Sequence, residues 1–321
     1  NGLAALPNQQ IGVFIAGCGG SSGASARIGG LDVGERNVIS GNGSHGVQIG
    51  NPNGGCANTV GALIRGNYVG AAVNGTGVIG NGLQDSFARA NVLLRTGGGA
   101  GAPNVVGGRE AGAGNLILGG VGPGVGFPGD AFAAAFGNRM RDNRQLGLDG
   151  GSSGVRELND AGDGDNFFGG GSTGRNQNFP VISAYSVGGG NANISYTVDS
   201  APANSIYPMR VDFYKAAGDE GGEYLGSDVY SAAEAQTVKA IAVPIPPGLN
   251  LSADDVIVAT ATDAEFNNSE FSFHPASLSV AAASGSVSQP LTFTATVTAL
   301  SGPFKPNGRV GFSIDSSPVQ S

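Results

Sequence analysis

The chain has no tryptophan, two histidines and two cysteines, and only 12% of its 321 residues are charged. Each shortage removes a class of function. Six of the seven tyrosines lie beyond residue 180, so the first half holds no aromatic strip on which sugar rings could stack. Cys18 and Cys56 have neither metal-ligand spacing nor a neighbouring histidine. A net charge of −8 disfavours a nucleic-acid partner. No stretch is apolar for long enough to enter a membrane as a helix. A sequence that opens on Asn1 with no leader pattern is expected to be a processed product or an internal piece of a longer protein.

Glycine is in excess, and it is uneven: 47 of the 59 glycines fall in residues 1–178, while Lys215, Lys239 and Lys305, the only lysines, fall later. This shift predicts a domain boundary near residue 179. Glycine-rich disorder does not fit the first part, because Val, Ile and Leu recur in step with the glycines. The segment GGLDVGERNVISGN, Gly29 to Asn42, returns without a gap 78 residues later as GGREAGAGNLILGG, Gly107 to Gly120. Glycine, asparagine and a short branched-apolar run at fixed spacing are how a β-solenoid is written. Glu35 and Arg36 are answered by Ala113 and Gly114, so the segment repeats its corners and core and leaves its surface free.

Three kinds of short strand alternate. The first is IGVFIA at 11–16, then 46–50, 91–95 and 124–127. The second ends in a double glycine, at 27–30 and 105–108. The third carries an apolar pair between asparagines or glycines, at 37–42, 64–67, 115–120 and, more weakly, 138–143. Three strands per turn predict an all-β, three-faced parallel β-helix over 1–178, with four to five coils each rising about 4.8 Å. Corners need positive φ, hence glycine and asparagine. Asn37, Asn42, Asn67, Asn115, Asn138 and Asn143 occupy such corners, where stacked amides can form ladders.

After residue 179 the period changes to two. Seven strands, at 180–187, 192–198, 206–217, 223–231, 236–245, 255–262 and 269–274, predict an immunoglobulin-like β-sandwich over 179–275. Residues 276–321 hold three more strands, about half of a second such sandwich, to be completed by further chain or by a neighbouring molecule.

The stretches NVISGNGSHGVQIG, NTVGALIRGNYVGAAVNGTGVIGNG, FGNRMRDNRQLGLDGG, the NDAGDGDN…NQNFP linker and VATATDAEFNNSEFS resemble large secreted bacterial proteins. Those carry right-handed parallel β-helix repeats followed by Ig-like domains. LTFTATVTAL…GRVGFSID is similar to tandem Ig-like repeats of bacterial cell-surface proteins. The resemblance implies an extracellular or cell-surface protein, some relatives being adhesive. The departures lie in the second repeat, where Gly120 replaces asparagine and Phe127-Pro128 interrupts a strand.

Candidate chemistry is sparse. Ser44-His45-Gly46 loosely resembles the Gly-His-Gly segment of polygalacturonases, but the paired carboxylates that a glycosidase requires are not found near it. Gly-x-Ser-x-Gly is centred on Ser21, Ser152 and Ser172, as glycine this dense produces by chance, and no helix pattern follows any of them. No catalytic residue is assigned. Asn159, Asp160, Asp163 and Asp165 bring hard oxygen ligands together in a glycine-rich loop that suits Ca²⁺, which would stiffen the joint before the sandwich. Cys18 and Cys56 follow the same strand type in successive coils, which brings them close enough for a disulfide in an oxidising compartment.

These readings predict a non-enzymatic extracellular module of a bacterial surface or matrix protein, adhesive or part of a filament. Its partners would be other copies of itself, other surface proteins or glycans. The alternative is a polysaccharide-active β-helix lyase or hydrolase.

Overall fold

The computed structural model describes residues 2–4, 8–16, 25–50, 59–83, 89–95, 98–99, 101–127, 132–151, 154–164, 177–273, 276–280, 294–299, 313–314 and 317–318. It is all-β. Residues 1–272 form one compact unit and residues 273–321 a second. The composition change at residue 179 therefore falls inside the first unit, where it marks a change of sheet type.

Among the described residues, three parallel sheets fill the first half. The first sheet stacks Val13–Ile15, Val47–Ile49, Val92–Leu94, Val125–Gly126 and Leu148–Asp149. The second stacks Arg27–Gly29, Leu63–Arg65, Ala102–Gly107 and Ala133–Phe136, and the third Val38–Ile39, Tyr68–Val69, Leu116–Leu118 and Arg139–Arg141. The chain visits the sheets in turn, completing four circuits and beginning a fifth. One expectation is corrected. Ile64 belongs to the second sheet, not the third, because the corner after it shrinks to Gly66-Asn67 and the third-sheet strand starts at Tyr68.

Alternate residues of each strand point inward and stack on their counterparts. Val47, Val92 and Val125 form one inner column, Ile28, Ile64, Val106 and Ala135 a second, and Ile39, Val69, Ile117 and Met140 a third. All belong to a single core, each aliphatic side chain contributing about 1.5–3 kcal/mol by burial. The corner between second and third sheets alternates in length: residues 30–37, 66–67, 108–115 and 137–138 in successive circuits. That alternation is why the sequence repeats every second circuit. Gly66, at φ +64, lets the two long corners close over it; a Cβ there would lie 2.2 Å from the Gly30 carbonyl oxygen and 3.1 Å from that of Gly112.

Residues 181–262 form two antiparallel sheets. One orders Val181–Gly188, Asn191–Thr197 and Lys239–Pro244, the other Glu220–Tyr230, Met209–Ala217 and Ile257–Thr262. Where the seventh strand is expected, at 269–274, the described residues 269–273 are irregular. Ser269 and Ser272 donate their backbone N–H groups to Ala261 and Ala259, and their hydroxyl oxygens accept the N–H groups of those residues in return. Tyr214, Val258 and Phe271 join the core of the parallel sheets, so apolar packing runs unbroken from one sheet type into the other.

In the second unit, Ala276–Val280 pairs antiparallel with Ala295–Ala299, and Ser313–Ile314 with Ser317–Pro318.

Candidate functional site

The most organised polar feature of the first unit is a pair of asparagine files. Asparagine fits a corner and carries an amide donor and acceptor on one short side chain, so copies one strand apart can bond in series. In the first file, Asn37, Asn67 and Asn115 each donate Nδ2–H to the Oδ1 of the next member, ending on Asn138, at 2.9, 3.1 and 2.9 Å. The second runs from Asn42 to Asn81 (2.8 Å), Asn91 (2.6 Å) and Asn143 (2.9 Å). Backbone N–H groups of Asn37, Asn42, Asn67, Asn115 and Gly120 donate to the Oδ1 atoms of Asn67, Asn81, Asn115, Asn138 and Asn143, which fixes the direction of those five amides.

The second file crosses the defect seen in the sequence. Gly120 has no amide to offer, and Asn91 from the first sheet reaches into the gap. A Cβ on Gly120 would sit 2.9 Å from Asn91 Nδ2 and 3.1 Å from Asn143 Oδ1. Asn81 and Asn91 are fully buried.

The file ends on a buried carboxyl group. Asn143 donates its backbone N–H to Glu220 Oε1 at 3.0 Å and its Nδ2–H to Oε2 at 2.5 Å. Other N–H groups of the last circuit also meet side-chain oxygens of the antiparallel layer. Gly137 donates to the Tyr214 hydroxyl (3.0 Å), Ala135 to Asn268 Oδ1 (3.2 Å) and Gly150 to Glu270 Oε1 (3.1 Å). The N–H of Glu157 takes the other Glu270 oxygen. Arg156 faces Asp219 and Glu270. Burial pushes the Glu270 carboxyl up to about 7, against the backbone donors and Arg156, which pull it down. Burial also raises the carboxyl of Asp212 despite its bond to Arg210.

Compared with known proteins, the chain matches no family model, no curated protein and no solved structure.

The residues singled out in the sequence fall differently. The Asp163 carboxylate is fully buried and accepts from Gln177 Nε2, the Asn178 N–H, and the hydroxyls of Ser200 and Ser205. Asn159 exchanges two hydrogen bonds with the backbone of Phe179. Asp160 accepts the N–H of Gly164. Asp165 lies outside the described residues, and among those described no group of three or more His, Cys, Asp or Glu side chains is arranged to hold a metal ion. Cys18, Cys56, Ser21, Ser152, Ser172 and His274 also lie outside the described residues. His45 is buried, with Nδ1 3.2 Å from the Ala90 carbonyl oxygen. On the corners, Glu35 pairs with Arg27 at 3.1 Å and Glu110 with Arg65 at 3.2 Å. Sequence reasoning missed Asn81, Asn91, Glu220 and Glu270. The glycine at position 120, where the repeat calls for asparagine, was the one signal that an amide had to arrive from elsewhere.

Proposed function

We propose that this chain is a structural or adhesive module of a large extracellular or surface-exposed bacterial protein. In this reading the parallel sheets are a right-handed β-helix, the antiparallel layer is an Ig-like sandwich that closes it, and residues 276–321 begin another sandwich. The observation that carries the reading is the deployment of buried polar groups. The asparagine files, Glu220 and Glu270 face the protein's own backbone, and the corner carboxylates Glu35 and Glu110 are paired with arginines. An enzyme acting on a polysaccharide would instead point two carboxylates at one sugar bond. Other surface proteins and glycans are the proposed partners.

The test is a panel of acidic and neutral polysaccharides assayed for new reducing ends and for unsaturated products, with binding to the same polymers followed by biolayer interferometry. Binding without turnover is expected. Turnover that disappears in Glu35→Gln or Glu110→Gln would install the lyase or hydrolase reading in its place.

A further inference from the structure

In an Asn-Gly pair the backbone nitrogen of the glycine can attack the preceding side chain, because glycine has no β-carbon to bar the approach. Among the described residues such pairs occur at 42–43, 74–75 and 81–82, with Asp-Gly pairs at 149–150 and 163–164. Four of these five side chains are buried and held. Asn42 and Asn81 have Nδ2 bonded within the second file. Asp149 accepts the Gly154 N–H, and Asp163 the four donors described above. Asn74 alone is exposed. It stands at the tip of a hairpin closed by the Ala71–Val78 bridge and by the Ala72 N–H on the Gly77 oxygen at 2.8 Å. Its Oδ1 accepts the N–H groups of Thr76 and Gly77, each at 3.1 Å, while its Nδ2 has no hydrogen-bond partner among the described residues. Gly75 has φ +72, and a Cβ there would lie 2.8 Å from the Tyr68 hydroxyl oxygen. The tip therefore demands the glycine that leaves this nitrogen uncovered.

We propose that Asn74-Gly75 is a self-modifying site, at which the folded chain converts Asn74 to aspartate or isoaspartate. The Gly75 N–H first parts from the Ala72 oxygen, to which it donates at 2.9 Å. Its nitrogen gives up the proton and bonds to Asn74 Cγ. Negative charge grows on Oδ1, where the Thr76 and Gly77 N–H groups already point, as donors do in an oxyanion hole. The Cγ–Nδ2 bond breaks and Nδ2 leaves as ammonia, taking up the proton. Water then opens the cyclic imide at one carbonyl or the other, which gives the two acids. The net change is amide plus water to carboxylate plus ammonium, and it needs neither cofactor nor second enzyme. In Asn42 and Asn81 the departing nitrogen is tied and water is shut out. The product adds one negative charge beside Arg141, whose guanidinium donates to the Thr76 oxygen at 3.3 Å. The charge of this corner thus changes with the age of the molecule.

The test incubates the intact 321-residue chain at mildly alkaline pH, with a parallel sample in concentrated urea. Peptide mapping with tandem mass spectrometry assigns each conversion to its residue, and isoaspartyl methyltransferase labelling counts the isoaspartate. In the native chain Asn74 should convert at least about tenfold faster than Asn42 or Asn81, whose reaction must wait for local opening. In urea the three pairs should convert at rates within a few-fold of one another. Asn74→Gln, which would have to close a larger ring, should lose the native signal. The proposal is overturned if native Asn74 stays intact while the urea sample converts, or if it reacts no faster than Asn42 and Asn81. A native isoaspartate signal that survives Asn74→Gln overturns it equally, because the reacting residue then lies elsewhere.

Discussion

Glu220 accepts both the backbone N–H and the side-chain amide of Asn143, and in doing so closes a file that starts at Asn42. Amides aligned in one direction in a medium of low polarity reinforce one another. Their donor ends sum toward Glu220, so a pair of acceptor oxygens is what the file calls for at that position. Removing a carboxyl group from water is costly, and two N–H bonds offset that cost.

Replacing Glu220 by Gln keeps the shape and sets an amide donor against donors. Loss of about 2–3 kcal/mol of unfolding free energy is expected, as for a buried group left facing the wrong partner. Urea titration followed by circular dichroism measures it. A loss below about 0.5 kcal/mol would show that the file does not depend on its terminal carboxyl group.

Asn91 bridges the gap at Gly120. In Asn91→Ala, the donor of Asn81 and the acceptors of Asn143 and Leu118 lose a partner, and a loss of about 3 kcal/mol is expected. Gly120→Asn in that background restores an amide at the position the repeat calls for. The double variant should recover part of the lost stability, whereas Gly120→Asn alone should destabilise by crowding Asn91. Recovery of nothing would mean that Asn91 holds the first sheet and not the file.

Glu270 makes stability depend on pH in a definite direction. Its carboxyl is raised by burial from 4.5 to about 7, so the folded protein holds that proton more firmly than the unfolded chain does. The contribution is fully present below pH 4.5 and is lost as pH rises through about 7. Glu270→Gln should therefore gain on the parent by up to roughly 3 kcal/mol between pH 5 and pH 8. Urea midpoints at the two pH values give the number, and a constant difference between parent and variant would reject this account.

Asp163 offers a test of the acidic loop. Its carboxylate already serves Gln177, Asn178, Ser200 and Ser205, and so ties residues 177–178 to the turn at 200–205. Asp163→Ala should lower the melting temperature by several degrees, by the same amount with Ca²⁺ or with chelator. A loss seen only when Ca²⁺ is present would return Asp163 to the role of ligand.

The strand positions of the first half were legible in the sequence because inward columns and corners repeat side-chain types at every circuit. Ile28 and Val106 are recognisable as one column from the double glycine that follows each, whereas Ile64, followed by the short corner Gly66-Asn67, reads as a third-sheet residue and joins that column only in the fold. Ala133–Phe136 was not, since small alanines carry little pattern and their burial depends on Phe266 and the segment beyond it. The joint was illegible for a related reason. Glu220 and Glu270 sit in a sequence context that reads as a polar turn and a strand end, and only the tertiary fold brings them, from 77 and 120 residues away, onto Asn143 and Gly150. Asp163 was legible as an unusual acid but not as a buried one, because its four donors come from two segments, 177–178 and 200–205, that lie 14 to 42 residues further along the chain.

The alternation of long and short corners makes the stack a ruler. Residues 30–37 and 108–115 lie two strands apart, or roughly 10 Å, on the same edge, with the two-residue corner Gly66-Asn67 between them. Loops of foreign sequence grafted into the two long corners would be displayed at that fixed interval, and the short corners would tolerate no insert. For an engineer the edge is a rail with slots at every second rung.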